Sequence, residues 1–322
     1  FFAESEGRFI DYLSRDERQN SYPKFYANNV CSTGTFFDGF SCSGVINILR
    51  DKIYLKSIDD SHIILSYKDD YINSKYICKA IRLSDYSISS GSVNAVIQFL
   101  NTQDSLYHPE MGFSYNHLEK TISLNRLNNT YLSDRPILNS FHSLNIYSDF
   151  FKLNLKENKL FFLHPCFNEK KYVLFESVDY YSESRYKDLN LPNSSNMLDI
   201  LFEYINENET IKNVSISDFA FYVNLDFAVA VDVIKTLEIF DFVNYDSQSQ
   251  KFDIKNRAYS FFESKEGNYD YDQFSVEASC FLGDTISSIN MDNMMMTVFN
   301  VQDFNFQSKP NYSISMEDDD IY

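Results

Sequence analysis

The chain has 322 residues, 44% hydrophobic and 17% aromatic, with 46 acidic against 28 basic side chains and a formal net charge of -18. Apolar content on that scale fills one large core or two to three smaller ones and excludes a disordered tail. The acidic balance argues against a nucleic-acid or anionic-membrane partner, because Lys and Arg supply most of the affinity for phosphate.

Residues 1–35 read as an N-terminal connector. The chain opens at Phe1 without Met and stops just after the acidic run Glu317 to Asp320, the expectation for a segment cut from a longer protein. No run approaches the ~18 apolar residues of a membrane helix, and no signal peptide opens the chain. From 36 to 175 short β-branched or aromatic runs alternate with Asp, Asn, Ser and Gly, the pattern of strands and turns. Ile53 to Ile58, the turn-like Asp59-Asp60-Ser61 and His62 to Tyr67 predict strand, turn and strand. Further strands are predicted at Ile77 to Leu83, Val93 to Leu100 and Thr121 to Asn125, with Val93, Ala95, Ile97 and Phe99 sharing one face. This section reads as β-solenoid-like or as stacked β-layers; a sandwich gives much the same string.

From 176 to 267 apolar residues recur at helical spacing. Helices are predicted over Tyr180 to Leu189, around Met197 to Ile205, after Ser215, and after Asp226 with Val229, Val233, Ile234 and Leu237 as one stripe. Phe240 to Tyr245 and Gln250 to Ile254 then form a hairpin, followed by a closing helix at Asn256 to Phe262. Helices followed by a hairpin are the winged-helix order. The fold class expected is therefore mainly β with an inserted α+β winged-helix-like module, and 268–322 as the start of a further β unit.

Motifs that carry chemistry are scarce. The chain lacks G-x-S-x-G, the P-loop and G-x-G-x-x-G, and none of His62, His108, His117, His142 and His164 forms H-x-x-x-H or H-E-x-x-H. Asp59-Asp60 and Asp69-Asp70 read as solvated turns, since no calcium loop surrounds them. Cys31, Cys42, Cys78, Cys166 and Cys280 include no C-x-x-C pair; a Cys31–Cys42 bridge is conceivable, and buried thiols are the preferred reading. Tyr180, Tyr181, Tyr269 and Tyr271 are candidates for a glycan platform, with core packing as the default, and Met294 to Met296 reads as strand packing. The helix that would enter a DNA groove carries Asp226, Asp232 and Glu238 against Lys235, and the hairpin adds Asp246 and Asp253 against Lys251, a surface that repels a duplex. No catalytic, cofactor or metal site is assigned. The candidate surface is an aromatic docking stripe of Phe219, Phe221, Tyr222, Phe227 and Phe242.

The run Asp104 to Tyr115, then Asn139 to Asn145, Phe175-Glu176-Ser177 with Tyr181 and Arg185-Tyr186, and the hairpin at Tyr245-Asp246-Ser247, resembles elements of very large Bacteroidetes cell-envelope proteins of unassigned function. That resemblance spans most of the chain and implies an extracytoplasmic location, repeated β units and partners among other envelope proteins or further domains of the same chain. It carries over no catalytic residue. Asp104-Ser105-Leu106 and Asp284-Thr285-Ile286 also match the phylum's short O-glycosylation pattern, at Ser105 and Thr285. The expected function is a non-enzymatic scaffold segment with the helical module as a protein-docking surface. The alternatives are a lipid- or glycan-conducting β-groove bridge and a glycan-active β-solenoid enzyme.

Overall fold

Strand formation follows the alternation of buried and exposed residues, and the computed structural model describes residues 7–10, 24–27, 31–33, 37–49, 52–57, 62–127, 132, 134–163, 171–192, 195–208, 212–266, 272–280, 285–308 and 313–316. In chain order the first strands are β1 (Gly7–Ile10), β2 (Lys24–Ala27), β3 (Cys31–Thr33), β4 (Phe40–Leu49), β5 (Lys52–Lys56), β6 (Ile63–Lys68), β7 (Ile72–Cys78) and β8 (Ala80–Ser84). They continue as β9 (Ser87–Phe99), β10 (Ser105–Asn116), β11 (Thr121–Arg126), β12 (Ile137–Asn139), β13 (Leu144–Tyr147), β14 (Phe150–Asn154), β15 (Lys159–Leu163) and β16 (Lys171–Ser177). Val93, Ala95, Ile97 and Phe99 of β9 are all buried, as their alternation predicts.

Three long strands run through two layers. The first half of β4 pairs with β3 and β6, and its second half with β2 and β5. In the same way β9 pairs with β8 through Ser87–Ser89 and with β7 through Val93–Phe99, and β10 pairs with β12 near Tyr107 and with β11 beyond Met111. Each of these strands carries one of the chain's 8 glycines near its crossing: Gly44, Gly91 and Gly112. A glycine weakens a strand locally and lets it bend. In β10 Pro109, which has no N–H for the ladder, sits beside the register shifts between His108 and Phe113. The predicted strands on either side of residues 58–61 therefore do not pair with each other: β5 and β6 flank opposite halves of β4 and enter different layers.

The layers face each other across a core filled by rings. Phe40 lies 4.4 Å from Tyr115, Tyr76 4.4 Å from Phe113 and Phe162 6.2 Å from Phe175, each pair spanning the two layers. Every described strand pairing is antiparallel, the hydrogen-bonding pattern of layered sheets.

After β16 the periodicity changes to α1 (Glu183–Asp188), α2 (Met197–Glu207), β17 (Val214–Ser215), α3 (Ile216–Tyr222), α4 (Phe227–Ile239), the hairpin β18 (Val243–Asp246) and β19 (Lys251–Ile254), and α5 (Asn256–Lys265). β17 adds a third strand beside β19. This section has its own core, built from residues such as Leu201, Phe219, Val233, Leu237, Phe242 and Phe261. Ser215 and Asp226 occupy the N-cap positions of α3 and α4, but neither side chain caps; Ile216 N–H donates to the Gln250 carbonyl at 3.1 Å. Val229 also departs from its predicted stripe. It is exposed with the overhanging first turn of α4, and Ala230 takes the inward position.

The chain returns as β20 (Asp272–Cys280), β21 (Thr285–Asn290), β22 (Met295–Val298), β23 (Val301–Ser308) and β24 (Ser313–Met316). β20 pairs with β16 and β21 with β15, so these strands extend the same two layers. These strands fall within the β unit expected over 268–322, although the stretches of β20 before Cys280 and of β23 were not singled out as separate strands.

Candidate functional site: a charged junction and an aromatic corner

The helical section meets the β layers through buried charges. The loop before β12 carries Arg135, 1% exposed, which donates through Nη2 to Asp241 Oδ1 and sits 3.6 Å from Glu238 Oε1. Asp241, just after α4, also accepts from Lys255 Nζ, and Glu238 accepts from Tyr245 N–H at 3.2 Å. Burial lowers the Lys255 ammonium, with Asp241 opposing.

The Arg135 carbonyl ties this cluster to the strands. Arg126 Nη1 donates to it at 2.7 Å, and Arg126 Nε donates to the Ser148 carbonyl at 2.8 Å. His108 Nδ1 accepts from Glu110 N–H at 3.1 Å, so the ring proton sits on Nε2, 3.1 Å from the Arg135 carbonyl. Burial, reinforced by Arg126, pulls this imidazole down to about 3. On the far side Arg185 of α1 forks onto Glu176 of β16 with two 2.8 Å bonds. Burial opposes the Arg185 charge most strongly, but the Glu176 bonds and charge together with Tyr147 and Tyr180 hold the guanidinium above its usual value. Arg257 of α5 is buried under the Phe242 ring at 5.9 Å, and its Nε and Nη1 have no hydrogen-bond partner among the described residues. Four of the chain's nine arginines thus meet at one junction.

A cavity of about 350 Å³ lies there, lined by Arg126, Asp134, Tyr147, Asp149, Arg185, Ile239 and Phe240. Its arginines are held by protein acceptors: Arg126 by two carbonyls and by Asp149 at 3.7 Å, Arg185 by Glu176. This is the chemistry of a clasp between two cores. A second cleft of about 740 Å³ opens where β9 and β10 cross between layers, beside Ser90, Gly91, Ser92, Asn94 and Glu110.

The predicted docking stripe does not form one surface. Phe219 and Phe242 are fully buried: Phe219 packs on Phe252 and Tyr204, and Phe242 on Phe261. Helical geometry separates Phe219 from Phe221, which points away from the α3 core face. Tyr222 is half-buried against Tyr204 at 5.3 Å, while Phe221 is 90% and Phe227 47% exposed. Between the last two, Leu225 N–H donates to the Ala220 carbonyl at 2.9 Å and Asn224 adopts φ 51°, making a tight helix–helix corner.

Other candidates fall as follows. Ser105 begins β10 and its N–H donates to Ser140 Oγ at 2.9 Å; Ser140 in turn donates to Asp104 Oδ1. Thr285 begins β21 half-buried, and Asp284 lies outside the described residues, as do Asp59-Asp60, His164, Tyr269 and Tyr271. Asp69 accepts from the N–H groups of Tyr71 and Ile72, both at 2.8 Å, as a turn residue does. Tyr181 is half-buried against Phe261 rather than presented as a platform. Cys42 and Cys78 are buried, and the Cys31 side chain lies outside those described. Burial pushes both thiols up, Cys42 to about 12 and Cys78 to about 11. Glu238, taken from the sequence as a surface charge, is 4% exposed and belongs to the clasp. Its position inside the apolar run Leu237 to Phe242, with Asp241, was the available signal for the junction.

Among the described residues no group of His, Cys, Asp and Glu side chains gathers to hold a metal ion, and no helix is long and apolar enough to cross a membrane. Comparison of the chain with protein-family models, curated proteins and solved structures returns no match.

Proposed function

We propose that the chain is a non-enzymatic scaffold segment of a large extracytoplasmic envelope protein, in which solenoid-like stacking of β-layers gives reach and a winged-helix-like module offers a lateral docking surface. The observation that supports this reading is the pairing of a ring-filled interior with a module clasped by buried charges, which leaves Phe221 facing water at 90% exposure. An exposed aromatic corner on a rigid support is what protein docking needs. A lipid-conducting bridge calls for an open apolar groove, and rings such as Phe40, Phe151 and Phe162 occupy the space between the layers. A glycan-active enzyme would use the two cavity carboxylates, Asp134 and Asp149. The docking surface is reduced to Phe221 and Phe227 with Tyr222 at its margin, and envelope proteins or further domains of the same chain are its partners.

The test replaces Phe221 and Phe227 together by Ser in the full-length protein and follows the size of its assemblies on native gels. A shift to smaller species with an unchanged Tm is expected. Unchanged assemblies, or glycan cleavage that disappears in Asp134→Asn and Asp149→Asn, would overturn the reading.

A further inference from the structure

The aromatic corner has a charge pattern that selects among occupants. Phe221, Phe227, Ala228 and Val229 are exposed together at the α3–α4 turn. On α3, Asp218 lies three residues before Phe221 and therefore on the same helical face. From α2, the exposed Glu203 and Glu207 reach the same corner: Tyr222 Oη donates to the Glu203 carbonyl at 3.4 Å, and a hydrogen bond to Glu207 pushes the Tyr222 hydroxyl up to about 12. Asp226 directly precedes Phe227, and its side chain makes no capping bond. Neither α2 nor the stretch 214–234 contains a Lys or Arg. An apolar patch with an acidic rim thus stands on a chain that is itself strongly acidic.

We infer that this corner docks a cationic amphipathic polypeptide segment, one that places apolar side chains on Phe221 and Phe227 and Lys or Arg against Glu203, Glu207, Asp218 and Asp226. The inference rests on the docking role proposed above and adds the chemistry of the partner. A second copy of this chain is a poor occupant, since its own corner brings the same four carboxylates into opposition. An anionic membrane meets the same repulsion. A basic partner gains twice: burial of the exposed rings supplies affinity, and the rim supplies steering and register.

The experiment titrates the folded protein with a synthetic amphipathic Leu/Lys helical peptide and with its Leu/Glu counterpart, by calorimetry, with amide hydrogen exchange to locate the contact. Binding of the Leu/Lys peptide alone is expected, weakened by salt, with added protection confined to residues 203–207 and 218–229. Phe221→Ser should weaken it by about tenfold, the order expected when one buried aromatic is lost. Asp218→Asn with Asp226→Asn should weaken it by about threefold, since each rim charge contributes little. Both sets change exposed residues, and an unchanged Tm confirms folding. Equal binding of the two peptides, protection elsewhere on the chain, indifference to Phe221→Ser, or binding of phosphatidylcholine vesicles in place of the peptide overturns the inference. If native assemblies still depend on Phe221 and Phe227 while the peptides bind equally, docking stands and the cationic partner falls.

Discussion

Acidification should loosen the junction through one histidine. His108 is buried with its proton on Nε2, and its Nδ1 already accepts from Glu110 N–H. A second proton would set two donors face to face, in a site that also contains the Arg126 and Arg135 charges. Burial and these neighbours pull the folded-state value to about 3, against an ordinary 6.5. Because the folded value is depressed, the unfolded chain binds more protons between the two values. The stability that His108 contributes is therefore complete above pH 6.5 and is lost progressively as pH falls below it. At about 1.4 kcal/mol per unit, lowering the pH from about 6.5 to 5 removes about 2 kcal/mol. The lower limit stays above the isoelectric point near 4.6. The assay is urea unfolding of the native chain and His108→Gln at a series of pH values. Carboxylates titrate alike in both chains, so the difference between them isolates this group. That difference should shrink by about 2 kcal/mol over the interval; a pH-independent difference would refute the argument from the buried neutral ring.

Three further outcomes follow from the same structure. Arg135→Ala leaves Glu238 and Asp241 buried without their guanidinium and should cost about 3–5 kcal/mol in urea unfolding, part of which returns when Glu238→Gln and Asp241→Asn are added. Phe219→Ala should cost about 3–5 kcal/mol, while Phe221→Ala stays within about 0.5 kcal/mol, a contrast that separates core from corner by Tm alone. With the other three cysteines changed to Ser, the buried Cys42 and Cys78 thiols should resist dithionitrobenzoate at about pH 8 in the folded chain and react once it unfolds in urea.

Local patterns were readable where one face of an element is buried. The alternation of Val93 to Phe99 and the helical spacing of Leu198, Leu201 and Phe202 each correspond to a buried face. What no local pattern carries is the destination of a strand. Nothing near Gly44, Gly91 or Gly112 states that β4, β9 and β10 each serve two layers, because their partners are remote in the chain. The junction was hidden for the same reason: Arg135 and Asp241 lie 106 residues apart, and each alone resembles a surface charge. The docking stripe was misread because aromatic count was used in place of helical phase, which buries Phe219 and exposes Phe221.

The scaffold account is tested most directly by placing a photo-reactive phenylalanine analogue at position 221, and separately at the exposed Tyr86, in the protein expressed in its native cells. Irradiation should yield one discrete protein adduct from position 221 and none from position 86, and the adduct should vanish when Phe227 is changed to Ser. The absence of an adduct at 221, or an identical set of adducts from both positions, would contradict it.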